Sequence, residues 1–178
     1  ALEKALEQFK KGFKTAGFYC FEFQHWEADD VIASLAAKSA YNGLGSTIIS
    51  TDKGFFQLVD QRIQVLNHFD RQLFNQDEVR ARYSVEAGQL VDLLALTGDT
   101  TNYLPGIKGI GIKTATDLLT QYQDLDTLLI ELPKLELKPK LKEALETQWR
   151  SALLTRKLAR LVTDLPLGIN LNDMRLKQ

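Results

Sequence analysis

The chain has one cysteine, two histidines and four prolines among its 178 residues, and it has no long uninterrupted apolar run. A single thiol excludes an internal disulfide and makes a reducing cytoplasm the expected compartment. Cys20, inside the apolar run Phe18 to Phe23, reads as a core residue. The most apolar segments, Val59 to Leu66 and Leu93 to Leu96, fall far short of the roughly 20 residues that span a bilayer, so no membrane role is expected. Charge of one sign is lacking too: 22 lysines and arginines against 23 acidic residues leave a net charge of −1. No global field draws the chain to a polyanion, and any contact with nucleic acid has to be local. The first residue is not methionine, and the basic, apolar and small-residue pattern of a targeting peptide is missing. The chain is therefore expected to be a piece of a longer protein.

What is present is an ordinary globular composition, 44% hydrophobic and 25% charged, enough for one core and a small appended module. Leu2, Ala5, Leu6, Phe9 and Phe13 share one face of a first helix. Phe18 to Phe23 reads as a short buried strand, followed by a helix from Glu27 to Gly43 and a strand at Thr47 to Ser50. Asp52 then opens a short helical segment through Leu58. This alternation predicts an α/β fold with a parallel sheet, whose ligands gather at the carboxyl ends of the strands. Ile63 to Leu66 and Gln72 to Phe74 read as further strands, with Asp70 and Arg71 between them. From Asp77 the pattern is helical, including Val85 to Leu96, stopped by Gly98, and Lys113 to Tyr122. We divide the chain into an α/β part, residues 1–84, and an all-helical module, residues 85–178.

Glu27, Asp29, Asp30 and Asp52 all fall at the expected strand-end edge, and Asp99 lies in a later loop. Acidic residues in a first turn also complement the helix dipole and cap free amides, so Glu27 to Asp30 alone carries no chemistry. Convergence with Asp52 and Asp99 is what would make a site. All-carboxylate ligands favour a hard cation, magnesium or manganese, over zinc. His25 and His68, at a helix entrance and near a strand end, are not expected to take part.

The second signal is Pro105-Gly106-Ile107-Lys108-Gly109-Ile110-Gly111-Ile112-Lys113-Thr114. Its glycines permit close backbone approach, and it ends where a helix N-terminus would face a phosphate. The alternation is expected to bury the isoleucines and expose the amides. A Walker loop is excluded because Ile112 separates Gly111 from Lys113, and the dinucleotide fingerprint fails because the glycines run G-x-x-G-x-G after a helix and loop. No nucleotide cofactor is expected. A plain glycine-rich turn between helices remains the simpler reading of the same residues. Lys134, Lys138, Lys140 and Lys142 form a basic face that reads as solvated helix surface or as a track along duplex DNA.

Taken together, Glu27-Ala28-Asp29-Asp30-Val31, Ser50-Thr51-Asp52-Lys53, Thr97-Gly98-Asp99 and Leu104 to Gly111 resemble, in order and spacing, the bacterial 5′-nuclease or flap-endonuclease family. The resemblance covers nearly the whole chain. It implies a PIN-like metallonuclease core, a helix-hairpin-helix module of the H3TH kind, and hydrolysis of phosphodiester bonds at 5′ flaps or free 5′ ends of DNA by a monomer. On it, Glu27, Asp29, Asp30, Asp52 and Asp99 match catalytic positions, with Asp29 the foremost magnesium (or manganese) ligand and Asp30 and Asp52 beside it. Leu96, Thr97, Pro105, Ile107 and Ile110 would surround a potassium ion through main-chain oxygens. Gly109, Ile110, Gly111, Ile112, Lys113 and Thr114 would contact DNA. Two departures matter: the family's Asp-Lys-Asp is here Asp52-Lys53-Gly54, and its Gly-Asp-x-x-Asp-Asn is Gly98-Asp99-Thr100-Thr101-Asn102-Tyr103. Both remove carboxylates from the second metal position, a pattern nearer the family's stand-alone members than the nuclease domain of a DNA polymerase. The family's first strand and its arch are not in this sequence, so these residues alone are expected to cleave weakly or not at all. A branched-DNA binder with lost catalysis is the alternative.

Overall fold

The computed structural model describes residues 2–175. Helix α1 (Leu2–Thr15) is followed by α2 (Ala28–Tyr41), strand β1 (Ser46–Ile49), a 3₁₀ segment at Lys53–Leu58, β2 (Ile63–Asn67), β3 (Gln72–Phe74) and α3 (Gln76–Tyr83). The helical remainder comprises a 3₁₀ turn at Ala87–Gln89, α4 (Leu90–Thr97), α5 (Ile112–Tyr122), α6 (Leu125–Glu131) and the long α7 (Pro139–Ala159). Among the described residues no helix is long and apolar enough to cross a membrane.

The sheet order is β1-β2-β3, with β1 parallel to β2 and β2 antiparallel to β3. The expected parallel sheet is thus corrected to a mixed one: the short Asn67–Arg71 connection can only turn the chain back on itself, whereas β1 to β2 uses a longer crossover. Register aligns Ile48 with Val65 and Val65 with Phe74, making one buried row across the sheet. Phe56, from the 3₁₀ segment, lays its ring 4.5 Å from that of Phe74 and closes the row. Each such side chain contributes roughly 1.5–3 kcal/mol by leaving water. The hydrophobic core continues without a break from these residues into Leu90, Leu96, Leu119, Leu128 and Leu145 of the helical module.

Three local expectations are overturned. Phe18 to Phe23 is not a strand; it is irregular, Phe18 and Phe21 are exposed, and Cys20 is half-buried with its thiol 3.9 Å from the Lys10 carbonyl. Extended apolar residues form a strand only beside a ladder partner, and here they pack on α1 instead, Phe18 edge-on against Phe13. The apolar stripe of α1 is real, yet α1 has no buried residue. Finally, Val85 to Leu96 is not one helix, because a 3₁₀ turn at Ala87–Gln89 precedes α4.

After α7 the chain runs back along α2. Asp30 Oδ1 accepts from the Val162 amide at 2.8 Å, Ser34 Oγ bonds the Val162 carbonyl and the Leu165 amide at 3.1 Å, and Lys38 donates to the Ile169 carbonyl. Residues 30, 34 and 38 recur every fourth position, the spacing of one helix face. Gln57 adds a bond at each end of the turn, to the Ala159 carbonyl and from the Leu161 amide, both 3.0 Å. Asp30→Ala should cost about 1 kcal/mol and speed hydrogen exchange at the Val162 amide, while Asp30→Asn, which keeps an acceptor, should do neither. Equal exchange in the two variants would dismiss this strap contact.

Candidate functional site

Helix α2 begins at Glu27, whose backbone is extended and whose side chain caps nothing. That leaves the Glu27 carboxylate exposed and puts Asp29 and Asp30 in the first turn. Asp52 stands just past the end of β1, where Oδ1 accepts from the Gly54 amide at 2.7 Å and caps the 3₁₀ segment. The strand-end rule and the helix start therefore bring four carboxylates to one edge. Their proximity is felt at Asp29: burial first, then the negative charges of Asp52, Glu27 and Asp30, push its carboxyl above its ordinary pKa. A cation at this edge would relieve that repulsion, and the all-oxygen donors suit magnesium or manganese. The fit is that of a partial cage. Among the described residues no three His, Cys, Asp or Glu side chains gather closely enough to hold an ion unaided. Asp30 has one oxygen committed to Val162 and Asp52 has one committed to Gly54. His68 lies exposed against Phe69, and His25 is exposed.

Asp99, expected at the same site, is bonded to Lys53, the neighbour of Asp52. Its side chain is 1% exposed and turned inward, with Oδ1 on Lys53 Nζ at 2.8 Å and on the Thr101 amide at 3.0 Å, and Oδ2 on Asn102 Nδ2 at 3.0 Å. Burial raises its pKa, but the bonds from Lys53, Thr101 and Asn102 outweigh that and hold it below the ordinary value. The physical reason is local: Asn102, where the family pattern has an acid, donates to Asp99 instead of repelling it. Lys53, next to Asp52, thereby ties the carboxylate edge to the loop that leads into the glycine hairpin.

That loop is built on two glycines placed back to back. Helix α4 ends at Gly98, with φ +76°, and the chain returns so that Asp99 and Leu104 exchange backbone bonds at 2.8 Å. The Ile107 amide then reaches the Leu96 carbonyl at 2.8 Å, and Ile110 bonds Ile107 at 3.0 Å. Thr155 Oγ1 on α7 donates to the Pro105 carbonyl at 2.5 Å and Gln148 accepts from the Lys108 amide at 2.9 Å. The structure thus links Leu96, Pro105, Ile107 and Ile110 through main-chain contacts, and Thr97 lies against Gly106. A carbonyl oxygen has two lone pairs, so one internal bond leaves one for a cation. Gly109 to Lys113 are exposed except Ile110, and Gly111 precedes α5 without a side-chain cap, which leaves amides of its first turn open. The isoleucine expectation is corrected at one position: Ile107 and Ile110 are buried, but Ile112 is 66% exposed, since helix geometry at α5 replaces the alternation.

One cluster escaped the sequence reading. Asp92, 6% exposed in the buried helix α4, accepts from the Leu125 amide at 3.1 Å, and its other oxygen lies 3.6 Å from Arg156. Arg156 grips Asp126 through two bonds of 2.7 and 2.8 Å. A lone acid in the run Leu90 to Leu96 was a legible signal, but Arg156 is too far along the chain for spacing to pair them. Burial pushes the Asp92 carboxyl up against the opposing Leu125 amide and Arg156 charge. Folded protein therefore binds this proton more tightly than unfolded chain, and stability falls as pH rises from the unfolded pKa, about 3.9, through the folded one. Arg156→Met should cost roughly 3 kcal/mol at neutral pH, and the deficit should shrink toward pH 4 as Asp92 takes up its proton. Asp126, held below its ordinary pKa by the Arg156 bond, gives a slope of the opposite sign: its stabilisation is lost as pH falls through the unfolded carboxylate value, about 3.9, and below. Urea midpoints with a pH-independent deficit would contradict this assignment.

Comparison with known proteins agrees with this architecture. Residues 1–84 match the family model of the 5′-3′ exonuclease N-terminal resolvase-like domain, and residues 85–178 that of the 5′-3′ exonuclease C-terminal SAM fold. The chain is 38% identical to flap endonuclease Xni of Pseudoalteromonas translucida over 98% of its own length and 67% of that relative. It is 45% identical to flap endonuclease Xni of Colwellia psychrerythraea over 84% of its length and 51% of that relative. The chain thus spans about half to two thirds of the length of these relatives. Among solved structures it resembles T5 5′-exonuclease with bound divalent metal ions (zinc), with a TM-score of 0.74 and 25% identity, covering 90% of this chain and 62% of that one. It also resembles the catalytic core of Rad2 in complex with DNA substrate, with a TM-score of 0.56 and 13% identity over 86% of this chain and 54% of that one, a likeness of fold. With family models matched on both sides of residue 84, and relatives aligned along nearly its whole length, the chain belongs to the 5′-3′ exonuclease family.

Proposed function

We propose that the whole protein is a divalent-metal-dependent 5′-nuclease that hydrolyses phosphodiester bonds at 5′ flaps or free 5′ ends of branched DNA. The observation that carries this is the crowding of Glu27, Asp29, Asp30 and Asp52 at one edge, tied through Lys53 and Asp99 to the glycine hairpin. The names of the Xni relatives, the metal-bound T5 5′-exonuclease and the DNA complex of Rad2 support it. Asp29 and Asp52, with the free oxygen of Asp30, would hold magnesium or manganese, and the open positions suit water and substrate phosphate. Such an ion polarises the phosphoryl group and lowers the pKa of water. Glu27 adds negative charge at the rim. Asp99 fixes the approach of the hairpin. The open amides from Gly109 to Thr114, with Lys113, would grip a backbone phosphate at the start of α5. The carbonyls of Leu96, Thr97, Pro105, Ile107 and Ile110 would hold potassium beside it. We take the protein to act as a cytoplasmic monomer.

The incomplete carboxylate cage favours a second reading, a branched-DNA binder that has lost catalysis. A labelled 5′-flap duplex incubated with the whole protein in magnesium and potassium separates the two. A discrete product that disappears with chelator is the expected outcome. Flap binding without any product would transfer the case to the second reading.

A further inference from the structure

Between the carboxylate edge and the loop leading to the hairpin lies a polar cavity of about 370 Å³, whose walls include Asp52, Lys53, Arg82, Tyr83 and Asn102. Its free hydrogen-bonding capacity is unevenly distributed. The ammonium of Lys53 is committed to Asp99, as is the amide of Asn102. Arg82, at the end of α3, is exposed and makes no ion pair among the described residues. Its guanidinium carbon lies 5.3 Å from the ring centroid of Phe74 and 5.9 Å from that of Tyr83. Contact with two aromatic rings anchors a guanidinium while leaving donors for an external acceptor. Tyr83 is half-buried, and the Arg82 side chain lies beside its hydroxyl. The cavity wall therefore presents a guanidinium without an ion-pair partner and a phenol, together with the Asp52 carboxylate.

An occupant that meets Arg82 carries a negative charge and acceptor oxygens. Asp52 in the same wall repels a second negative charge, so a singly charged phosphodiester fits better than a doubly charged terminal phosphate. The cavity wall at Asn102 belongs to the loop that continues into the hairpin. We propose that this cavity is a subsite for one internal phosphodiester of a single-stranded DNA segment, bound by Arg82 and Tyr83 separately from the duplex grip of the hairpin. The inference rests on the nuclease reading above and adds a residue pair that distinguishes single-stranded from duplex DNA.

The test is equilibrium binding by fluorescence anisotropy with the whole protein in EDTA, so that cleavage does not enter. Two probes share one duplex sequence, one blunt and one with a single-stranded 5′ overhang bearing a 5′-hydroxyl. Arg82→Ala should weaken overhang binding about tenfold and lower the salt slope by about 0.7, one phosphate contact on a single strand. Blunt-duplex affinity should stay within about twofold, which also shows that the variant is folded. Tyr83→Phe should weaken the overhang complex about threefold, and Arg82→Lys should fall between Arg82→Ala and the parent, because a lysine keeps the charge and loses the planar fork. Equal weakening on both probes, or none on the overhang, would overturn the subsite while leaving the metal nuclease standing. Failure of the unaltered protein to bind either probe would overturn both.

Discussion

Asp29→Ala should abolish metal-dependent cleavage, lowering turnover on a 5′-flap substrate by at least about a thousandfold, or roughly 4 kcal/mol of transition-state stabilisation. Asp29 is the carboxylate on which the field of the others converges: its own burial and the charges of Asp52, Glu27 and Asp30 all disfavour its ionisation in the absence of a cation. An ion bound there would reverse that repulsion, and losing the carboxylate at the centre of the cluster would leave Asp52 and a half-committed Asp30 to hold it. DNA affinity measured without divalent metal should be unchanged, because the hairpin is a separate element. Thermal stability should be unchanged or slightly raised, since one of four crowded negative charges has been removed. Cleavage within tenfold of the parent would remove Asp29 from the metal site. A parallel loss of DNA binding would instead indicate that the substitution had disturbed the fold.

Gly106→Ala should be the most damaging single methyl in the chain for stability. A Cβ at this position would stand 2.2 Å from the Thr97 carbonyl carbon, 2.3 Å from the Gly98 nitrogen and 2.5 Å from the Thr97 oxygen. All three are backbone atoms, so no side chain can swing aside. The end of α4 and the hairpin would have to separate, breaking the bond from the Ile107 amide to the Leu96 carbonyl and the paired bonds between Asp99 and Leu104. Overpacking a well-packed site costs about 1–3 kcal/mol and occasionally more, and this contact belongs at the upper end. Gly109→Ala meets no atom within 4 Å but has φ +94°, so it should cost about 1 kcal/mol of backbone strain. Gly111→Ala, with open space and an ordinary φ of −91°, should be nearly neutral. Urea midpoints should therefore rank the three in that order. A Gly106→Ala protein as stable as Gly111→Ala would mean that the two segments are not in contact.

These glycines also show what a sequence can and cannot convey. The motif Gly106 to Gly111 was readable as a hairpin before a helix, because glycine spacing and the helical periodicity after it are local properties. Which glycine is needed for close approach, which for a left-handed φ and which for neither was not readable, since Gly98 and Gly106 acquire their roles from each other. Asp99 was read as a catalytic position, and its place in the loop is legible in adjacent residues whereas the direction of its side chain is not. Lys53 and Asn102 turn it inward, and Lys53 lies 46 residues away.

By itself the sequence determined where helices and strands begin and end around α2, β1, β2, β3 and α5, and that Glu27 to Asp30 and Asp52 share a strand-end edge. Periodicity, capping and glycine placement act over a few residues, so they are written in adjacent letters. Only the tertiary structure decided that Phe18 to Phe23 is not a strand, that β3 runs antiparallel, that Asp30 holds the segment after α7, and that Asp92 meets Arg156 and Asp126. Strand pairing, burial and ion pairing each depend on a partner that folding brings from elsewhere in the chain. Until that partner arrives, an aspartate of the proposed metal site and one that fastens a loop look alike.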